Sequence, residues 1–598
     1  MTFDFGPFQL DESRRALRLN AREVSLQPRV FDLLVYLVRK RDRVVSKDEL
    51  LDALWPNVTV TEGSLQRAIS LLRTALREGG MEETVRSFPR IGYRFCLDDV
   101  ASSEQPQAAD DEVDILAAAR HAADRQRWKE AAAHYAAADV REKLDGSDLE
   151  CWALCLHCAG RPSDAIPVLV RAVNAHSQSG HTEPAAGAAV MLSTIHLERG
   201  EIAVAKGWLA RAESLVGGNA GAAAIGRITW MQSRVAAAEG EPERALALAS
   251  EAFEHGKRLG DIAVESLGLM YRGFFKLSLG DTRSGLADQD HAAALALSGN
   301  CDATTGGVLY CNILWTCRTF GDWARASQWT IGYQQLCTES GMEFSGSCQL
   351  HRAEVLGIQG SLGSAMAHVR EALDRIKHDA PWAEGDAYRV LGDISAAAGD
   401  RDAAFAAYQK AYALGWDPEP GHAMLLLERG EADEAYASLE RSLVGRSWWT
   451  LQRQGILLAH LALAAVHAGR LERAEALIGD LSGSPDRWPM PSIRALTNEA
   501  SALLAKQRGQ LEAALHHLHL ARQLWTSIAS PIHAARLRLL IADLCFEMSN
   551  ARGAETELRA VRIAAEQLDS AKLRELCKAC ENKLIDAADV PTAAKSRR

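Results

Sequence analysis

A glycine recurs about every forty residues along most of this chain. Ten positions carry it: Gly160, Gly200, Gly240, Gly280, Gly321, Gly360, Gly399, Gly430, Gly469 and Gly509. The intervals between them are 40, 40, 40, 41, 39, 39, 31, 39 and 40 residues. Because glycine adopts the left-handed backbone conformation at little steric cost, it favours a tight turn between two antiparallel helices. The period therefore predicts a long series of helical pairs.

Small residues mark the second helix of each predicted pair. The residue five positions after each turn glycine is alanine nine times and glycine once, at Gly285. Alanine also stands twelve positions after seven of the ten glycines. Because small side chains let helices approach closely, the pattern predicts a solenoid of stacked pairs over residues 113–586. The 31-residue interval before Gly430 indicates a shortened repeat, with a possible seam near 415–430.

The repeated units resemble a tetratricopeptide repeat array with a lengthened period. HEAT-type helices are the structural alternative. Either family implies an α-solenoid whose extended concave face binds an elongated partner or ligand. The predicted fold class is mostly α, with an α-solenoid of tetratricopeptide-like helix pairs behind a small α+β N-terminal domain.

The phase of the repeat identifies the residues expected in the concave groove. First-helix positions 13, 10, 6, 3 and 2 before the turn glycine should face inward, and they include Trp230, Arg234, Trp315, Arg318, Glu354, Arg389 and Asp393. An aromatic residue and a cation one helical turn apart can clamp a peptide or a small anionic ligand. The alternative is that the tryptophans pack between repeats while the arginine heads reach solvent.

A different pattern occupies residues 46–95. Ser46 to Glu49 has capping-box spacing, so a helix should begin there and end at Trp55-Pro56, because proline cannot continue it. A second helix from about Thr61 carries an apolar stripe of Leu65, Ile69, Leu72 and Leu76. A basic hairpin that ends in Gly92-Tyr93-Arg94-Phe95 follows.

This order of parts resembles the winged helix-turn-helix domain of OmpR/PhoB- and ToxR/CadC-type bacterial transcription regulators. The matching segments read RVVSKDELLDALWP, VTVTEGSLQRAISLLRTAL and VRSFPRIGYRF. Ahead of them, strand-like runs at 3–10, 16–19 and 23–26 and a helix opened by Gln27-Pro28 match the small N-terminal sheet and first helix of the family. The resemblance covers about the first hundred residues, and the domain is expected at 1–97.

The resemblance implies roles for individual residues. The helix from about Thr61 to Arg77 is the expected recognition helix, with Arg67, Ser70 and Thr74 at base edges, Gln66 flanking them, and Arg73 and Arg77 nearer phosphates. Arg90 is the expected wing-tip residue in a minor groove, flanked by Arg86 and Arg94. Residues 55–62 match the loop that contacts RNA polymerase in relatives. The alternative is that these arginines are only a solvated face. The helix is less basic than in many relatives, so one domain should bind DNA weakly.

The charge distribution agrees with a local DNA contact. The chain has 598 residues and a net charge of −11, but residues 1–97 hold 16 Lys and Arg against 13 Asp and Glu. Residues 1–97 are mildly basic and the rest of the chain is acidic, so electrostatic attraction to DNA is confined to residues 1–97. Residues 98–112 are acidic and poor in apolar side chains, as is typical of a linker, and residues 587–598 are expected to be a disordered tail.

Other classes of protein lack support in the sequence. There is no phosphate-binding Gly-x4-Gly-Lys-Ser/Thr loop, no Gly-x-Ser-x-Gly elbow and no His-Glu-x-x-His, so we expect neither an enzyme nor a bound cofactor. Cys151, Cys155 and Cys158 share one helix face and are interpreted as core residues, because structural zinc usually takes ligands from two elements. No metal site is expected.

These observations predict a cytoplasmic one-component transcription regulator. No signal peptide and no apolar run long enough to cross a membrane is found. The winged helix should bind double-stranded promoter DNA, and activation through RNA polymerase is implied by the resemblance. The solenoid should sense a small ligand or protein, form a homo-oligomer on DNA, or both. The alternative is an interaction scaffold whose winged helix no longer binds DNA.

Overall fold

The computed structural model divides into two compact units, residues 1–114 and 115–598. It describes residues 2–11, 16–20, 22–24, 26–41, 43–54, 62–88, 91–97, 101–103, 114–217, 222–296, 301–343, 345–445 and 448–588. Each unit has its own hydrophobic core.

The first unit contains eight described strands and three described helices. The strands are β1 (Thr2–Phe5), β2 (Phe8–Asp11), β3 (Ala16–Leu19), β4 (Arg22–Val24), β5 (Val45–Ser46), β6 (Val85–Phe88), β7 (Gly92–Phe95) and β8 (Ala101–Ser103). The helices are α1 (Pro28–Arg39), α2 (Lys47–Leu54) and α3 (Glu62–Arg77). All strand pairs are antiparallel, in the orders β4-β3-β2-β1-β8 and β5-β7-β6.

Two details of the N-terminal sheet differ from the sequence prediction. The predicted run 3–10 is two strands, because Gly6 has a φ of +53° and turns the chain back on itself. Residues 101–103, inside the predicted linker 98–112, form β8 and pair with β1. The rest of that segment, the polymerase loop at 55–61 and positions 589–598 of the predicted tail lie outside the described residues.

Aromatic side chains join the two sheets of the first unit. Phe5 contacts Phe8 with ring centroids 5.7 Å apart and meets Phe95 of β7 edge-on at 5.2 Å. Both sheets pack on α1 and α3 through buried residues that include Leu34, Leu37 and Leu72. The hairpin β6–β7 is therefore fixed to the same core as the helices.

The predicted capping box is half formed. The Ser46 Oγ accepts a hydrogen bond from the Glu49 backbone N–H at 3.1 Å, so α2 begins where predicted. The Glu49 carboxylate turns instead to the Arg43 guanidinium, at 2.6 Å, and to the Tyr36 hydroxyl, at 2.9 Å. Hydrogen bonding to Arg43 lowers the pKa of Glu49 to about 2. The hydrogen bond from Tyr36 ties α2 to α1, and the charged pair ties α2 to the segment between the two helices.

The second unit is helical throughout its described residues. Its first part is α4 (Ile115–Asp124), α5 (Trp128–Arg141), α6 (Gly146–Cys158), α7 (Pro162–Gln178), α8 (Thr182–Glu198), α9 (Ile202–Val216), α10 (Ile225–Ala238), α11 (Pro242–Leu259), α12 (Ile262–Ser278), α13 (Thr282–Leu295), α14 (Ala303–Phe320) and α15 (Trp323–Ser340). The remainder is α16 (Gly346–Ile358), α17 (Leu362–Asp379), α18 (Glu384–Ala398), α19 (Arg401–Ala413), α20 (Gly421–Glu428), α21 (Ala432–Ser442), α22 (Trp448–His467), α23 (Leu471–Gly483), α24 (Pro491–Gln507), α25 (Leu511–Ser527), α26 (Pro531–Glu547), α27 (Ala551–Gln567) and α28 (Ala571–Ala588).

The predicted turn glycines lie between the two helices of successive pairs. All ten have positive φ, and Gln126 and Ser549 take the same conformation at the turns α4–α5 and α26–α27. The small residues five positions later are all buried. The shortened interval before Gly430 corresponds to α20, which has only 8 residues. The α-solenoid fold predicted from the period is confirmed.

Hydrogen bonds join helical pairs that are far apart in sequence. The Trp128 indole N–H donates to the Ser340 carbonyl at 2.7 Å, the Ser492 hydroxyl to the Gly321 carbonyl at 2.6 Å, and the Lys572 ammonium to the Ala396 carbonyl at 2.9 Å. Each contact links residues 171 to 212 positions apart. Four to five helical pairs therefore complete one superhelical turn, and the next turn stacks on it.

This tight winding changes the expected concave groove. Trp230, Trp315, Arg318, Glu354 and Arg389 are all buried. These positions do not form an extended open face, because Arg318, Glu354 and Arg389 bind one another across successive repeats and Trp315 packs against Trp449.

The closest helix packing predicts opposite effects for two glycine substitutions. A Cβ at Gly268 in α12 would lie 2.3 Å from the Phe253 backbone nitrogen in α11, whereas a Cβ at Gly207 in α9 meets no atom within 4 Å. Gly268→Ala should destabilise this helical pair by about 1–3 kcal/mol. Gly207→Ala, the control, should stabilise its helix by up to about 1 kcal/mol. Amide hydrogen exchange in α11–α12 and α9 measures both effects, and equal protection of Gly268→Ala and the native chain would contradict the packing.

Candidate nucleic-acid interface and solenoid interior

Helix α3 has one buried face and one exposed polar face. Leu65, Ile69, Leu72 and Leu76 are each at most 2% exposed, which confirms the predicted apolar stripe. The opposite face presents Gln66, Arg67, Ser70, Thr74 and Arg77, all of which are exposed. The residues predicted to face base edges therefore share the solvent side of one helix.

Arg67 is the cation of this face that is available to a ligand. Its guanidinium pairs with no carboxylate among the described residues, whereas Arg77 lies 3.9 Å from the Glu82 carboxylate. The Thr74 hydroxyl donates to the Ser70 carbonyl at 2.9 Å within the helix. Thr74 can then offer a base only its oxygen lone pairs and its methyl group, which suits a donor or a thymine methyl.

Arg73 binds the wing strand instead of projecting toward a phosphate. Its guanidinium donates to the Val85 carbonyl at 2.6 and 2.9 Å and to the Ser87 hydroxyl at 2.9 Å. The side chain is held between α3 and β6, so it fixes the wing against the recognition helix. The sequence analysis predicted that Arg73 lies near phosphates. Its position on the helix does not show that a strand packs beside it in the fold.

The hairpin places two arginines opposite each other. Arg86 of β6 is the direct cross-strand partner of Arg94 of β7. Like charges in this position destabilise a hairpin. Arg94 Nε donates to the Arg41 carbonyl at 2.9 Å, which holds it near α1, while Arg86 stays exposed. An anion against this hairpin would offset the repulsion.

The wing tip is described only in part. Arg90 lies outside the described residues, while Ile91 beside it is 58% exposed. Leu71 on α3 is also exposed. An isoleucine on a short basic hairpin carries little signal in sequence alone, and the prediction did not include it.

Trp230 and Arg234 form an aromatic and cationic cluster inside the solenoid. The guanidinium lies 5.1 Å from the Trp230 ring centroid and 5.7 Å from that of Tyr271, and it reaches Glu198 at 3.4 Å. Arg234 Nη1 and the Trp230 indole N–H are buried without a hydrogen-bond partner among the described residues. Buried donors left unpaired are costly, so this cluster favours an acceptor-bearing ligand.

The other predicted groove charges pair with one another. Arg318 binds Glu354 and donates to Asp386 at 3.0 Å, and Arg389 binds Glu354 at 3.0 Å and Asp393 at 2.7 Å. Two guanidinium groups thus face three carboxyl groups. Attraction to the arginines lowers the pKa of Asp386 to about 2, whereas burial raises that of Asp393 to about 6. Asp386 lies 13 positions before Gly399, which is one of the predicted inward phases, but the sequence analysis did not name it.

Trp315 belongs to a cluster of four tryptophans. Its ring lies 5.8 Å from Trp382, 6.4 Å from Trp416 and 5.2 Å from Trp449, and Trp416 is 4.7 Å from Trp449. Residues 134 positions apart thus meet inside one superhelical turn. The contact explains why Trp315 is buried rather than displayed.

Neither a metal centre nor a membrane span is found among the described residues. No group of three potential ligands is close enough to hold a metal ion. Within the same ranges, every helix is too short or too polar to cross a lipid bilayer.

The first unit is similar to known transcription regulators. Residues 21–95 match the family described as Transcriptional regulatory protein, C terminal. The transcriptional activator CadC of Escherichia coli (strain K12) is 30% identical over 102 residues, which is 17% of this chain and 20% of CadC. HilA of Salmonella typhimurium is 34% identical over 93 residues, 16% of this chain and 17% of HilA. PhoB of Rhizobium meliloti is 33% identical over 89 residues, 15% of this chain and 39% of PhoB. The match spans less than half the length of each relative.

The solenoid has distant likenesses among solved structures. A chain of the APC/C hetero-tetramer Cut9-Hcn1 matches with a TM-score of 0.40 and 12% identity over 79% of this chain and 93% of that chain. Rap protein complexed with competence and sporulation factor matches with a TM-score of 0.35 and 12% identity over 65% of this chain and 99% of that chain.

The winged helix-turn-helix order of β1–β4, α1–α3 and the β6–β7 hairpin agrees with the sequence match. The N-terminal unit of this chain belongs to the OmpR/PhoB-type family of transcriptional regulatory domains.

Proposed function

We propose that this chain is a bacterial transcription regulator, an activator, that binds double-stranded promoter DNA through α3 and the β6–β7 wing. The exposed face of α3 carries the proposal: Arg67, Ser70 and Thr74 lie together in solvent, opposite a fully buried stripe. Arginine reads guanine and threonine contacts thymine in the major groove. Bacterial promoters lie in the cytoplasm, which is therefore the proposed location.

The wing supplies the proposed backbone contact. Arg73 fixes β6 beside α3, so Arg86 and the recognition face approach the duplex as one rigid surface. Phosphate contacts position a protein on DNA, while base contacts specify the sequence. We assign the phosphate contacts to Arg77 and Arg86. The family implies two further contacts: Arg90 would enter the minor groove, and the loop at 55–62 would contact RNA polymerase.

The solenoid is the proposed regulatory half. Trp230 and Arg234 retain unpaired donors inside the superhelix, and we assign the sensing contact to them. Arg318, Glu354, Arg389 and Asp393 join successive helical pairs in this proposal, because these side chains already bind one another. If several chains bind one promoter together, the weak DNA contact of each winged helix contributes to a much higher overall affinity.

Loss of Arg67 should weaken sequence-specific binding. Genomic DNA fragments retained by the purified chain provide the probe. Arg67→Ala should weaken the binding free energy for that probe by about 1–3 kcal/mol, because a base contact is lost, and should weaken binding to random DNA much less. Arg22→Ala removes the same charge from an exposed position on β4 and is the control. Equal losses for both variants in a binding titration would remove α3 from the recognition role.

Replacement of Arg86 should change stability and binding in opposite directions. Arg86→Thr removes the repulsion across the hairpin, so the domain should gain about 0.2–1 kcal/mol of stability in the absence of DNA. The same variant should bind the probe more weakly and with a shallower salt dependence, because one phosphate contact is lost. Thermal unfolding and titrations at several salt concentrations measure the two effects. A variant that is stabilised but binds with an unchanged salt slope would show that Arg86 does not touch DNA.

Separation of the two units should expose the contribution of the solenoid. Residues 1–114 form a compact unit with its own core, so the fragment should keep the sequence preference but bind more weakly and without cooperativity. In the full chain, Trp230→Phe combined with Arg234→Gln should leave basal DNA affinity unchanged and abolish variation of promoter output among growth conditions. A fragment that equals the full chain in affinity and cooperativity would show that the solenoid does not contribute to DNA binding.

A further inference from the structure

The first unit exposes very few large apolar side chains. Among its described residues only Leu71 and Ile91 belong to this group, and they are 37% and 58% exposed. Leu71 lies on α3, and Ile91 lies in the turn between β6 and β7. Both exposed apolar side chains therefore lie on the two elements to which DNA contact is assigned.

Leu71 lies in the middle of the exposed face of α3. It follows Arg67 by four positions and precedes Thr74 by three, and residues at these spacings share one side of a helix. The helical rise places Leu71 about 6 Å along the axis from Arg67 and about 4.5 Å from Thr74. Base pairs in DNA stack about 3.4 Å apart. In a major groove, the three side chains would therefore reach base pairs that are one or two steps apart.

The chemistry of Leu71 restricts what it can contact on a DNA duplex. Its side chain has no hydrogen-bonding atom, and Thr74 beside it keeps a methyl group free because its hydroxyl donates to the Ser70 carbonyl. Phosphates and most base edges are polar, so covering them with an isobutyl group would cost free energy. The 5-methyl group of thymine is the apolar group that a base pair presents in the major groove. This methyl group is the part of DNA that fits Leu71.

The surroundings of Leu71 favour DNA over a protein partner. Docking sites for proteins are contiguous apolar patches. The exposed neighbours of Leu71 on α3 are instead the polar residues Arg67, Ser70 and Thr74. One apolar side chain among hydrogen-bonding groups matches the edge of a T·A pair, where one methyl group lies beside hydrogen-bond acceptors and donors.

We propose that Leu71 is a specificity-determining residue that contacts the 5-methyl group of a thymine in the major groove. The contact rests on the proposed DNA-binding role of α3 and extends it, because it adds a thymine one or two base pairs from the base that Arg67 contacts. Ile91 does not share this role, since the wing is assigned to the minor groove, where base pairs present no methyl group.

Replacement of single thymines by deoxyuridine tests the contact. Uracil pairs with adenine and lacks only the 5-methyl group, so every hydrogen-bonding group of the duplex stays in place. The probe is a duplex cut from a genomic fragment that the purified full-length chain retains, and each of its thymines is replaced in turn. At the thymine that Leu71 contacts, uracil should lower the affinity of the native chain about three- to fivefold, because the burial of one methyl group is lost.

Variants assign the sensitive thymine to a side chain. In Leu71→Ala the difference in affinity between the thymine and uracil duplexes should vanish at that position, and in Leu71→Met, which keeps an apolar side chain, it should persist. Thr74→Ser removes only a methyl group and should abolish the sensitivity of a different thymine. Ile91→Ala is the matched control, because it removes another exposed aliphatic side chain and should leave every difference unchanged. Each comparison uses one protein preparation, so any loss of active protein cancels.

The outcomes separate failure of this contact from failure of DNA binding. A native chain that binds its own duplex and random DNA equally would overturn the DNA-binding proposal and this contact with it. Sequence-specific binding without any thymine whose effect depends on Leu71 would overturn the contact alone. If Leu71→Ala keeps all thymine sensitivity and loses only cooperativity on DNA, the side chain belongs to an interface between copies of the chain, and the thymine contact is wrong.

Discussion

Contact between successive superhelical turns is the constraint on which the solenoid depends. Hydrogen bonds such as those from Trp128 to Ser340 and from Ser492 to Gly321 hold one turn on the next. The predicted inward residues Trp230, Trp315, Arg318, Glu354 and Arg389 are buried within this winding. Every charge that faces inward must then find an opposite charge, because a buried unpaired ion is costly. Arg318, Glu354, Asp386 and Arg389 meet that requirement.

The same constraint separates structural from reactive positions. Charged side chains that pair with one another stabilise the superhelix and have few groups left to bind a ligand. The unpaired donors of Trp230 and Arg234 are among the buried groups that can still bind an acceptor. His351 lies between the paired charges and Cys311, because it contacts Arg318 through Nδ1 and the Cys311 sulfur through Nε2. In the first unit, Arg73 has a comparable structural role, because it fixes the wing beside α3 and leaves Arg67 and Arg86 for a partner.

Local patterns predicted the elements well. The glycine period predicted the helical pairs correctly, because each turn between two helices needs a residue in the left-handed conformation. Gln126 and Ser549 adopt that conformation at two other turns, so the residue need not be glycine. The stripe from Leu65 to Leu76 gave the buried face of α3 for the same reason. The turn at Gly6 was missed because the apolar pattern continues across it.

Long-range features could not be read from these patterns. Whether a solenoid winds openly or tightly depends on small rotations between pairs, summed over a full superhelical turn. The phase of the repeat therefore placed Arg318 and Glu354 inward but gave no sign that they bind each other, or that Trp315 meets Trp449. The bonds from Arg73 to β6 and from Arg94 to Arg41 also join segments whose distance in space the sequence does not encode.

The proposed function requires that the exposed arginines of α3 and the wing contact DNA while the solenoid does not. Chemical modification of arginine by a dicarbonyl reagent can be measured residue by residue in the full chain, with and without its promoter fragment. We predict that DNA protects Arg67 and Arg86 and leaves Arg22, Arg508 and Arg559 as reactive as before. Equal reactivity of Arg67 and Arg86 in both states, together with protection of the solenoid arginines, would contradict it.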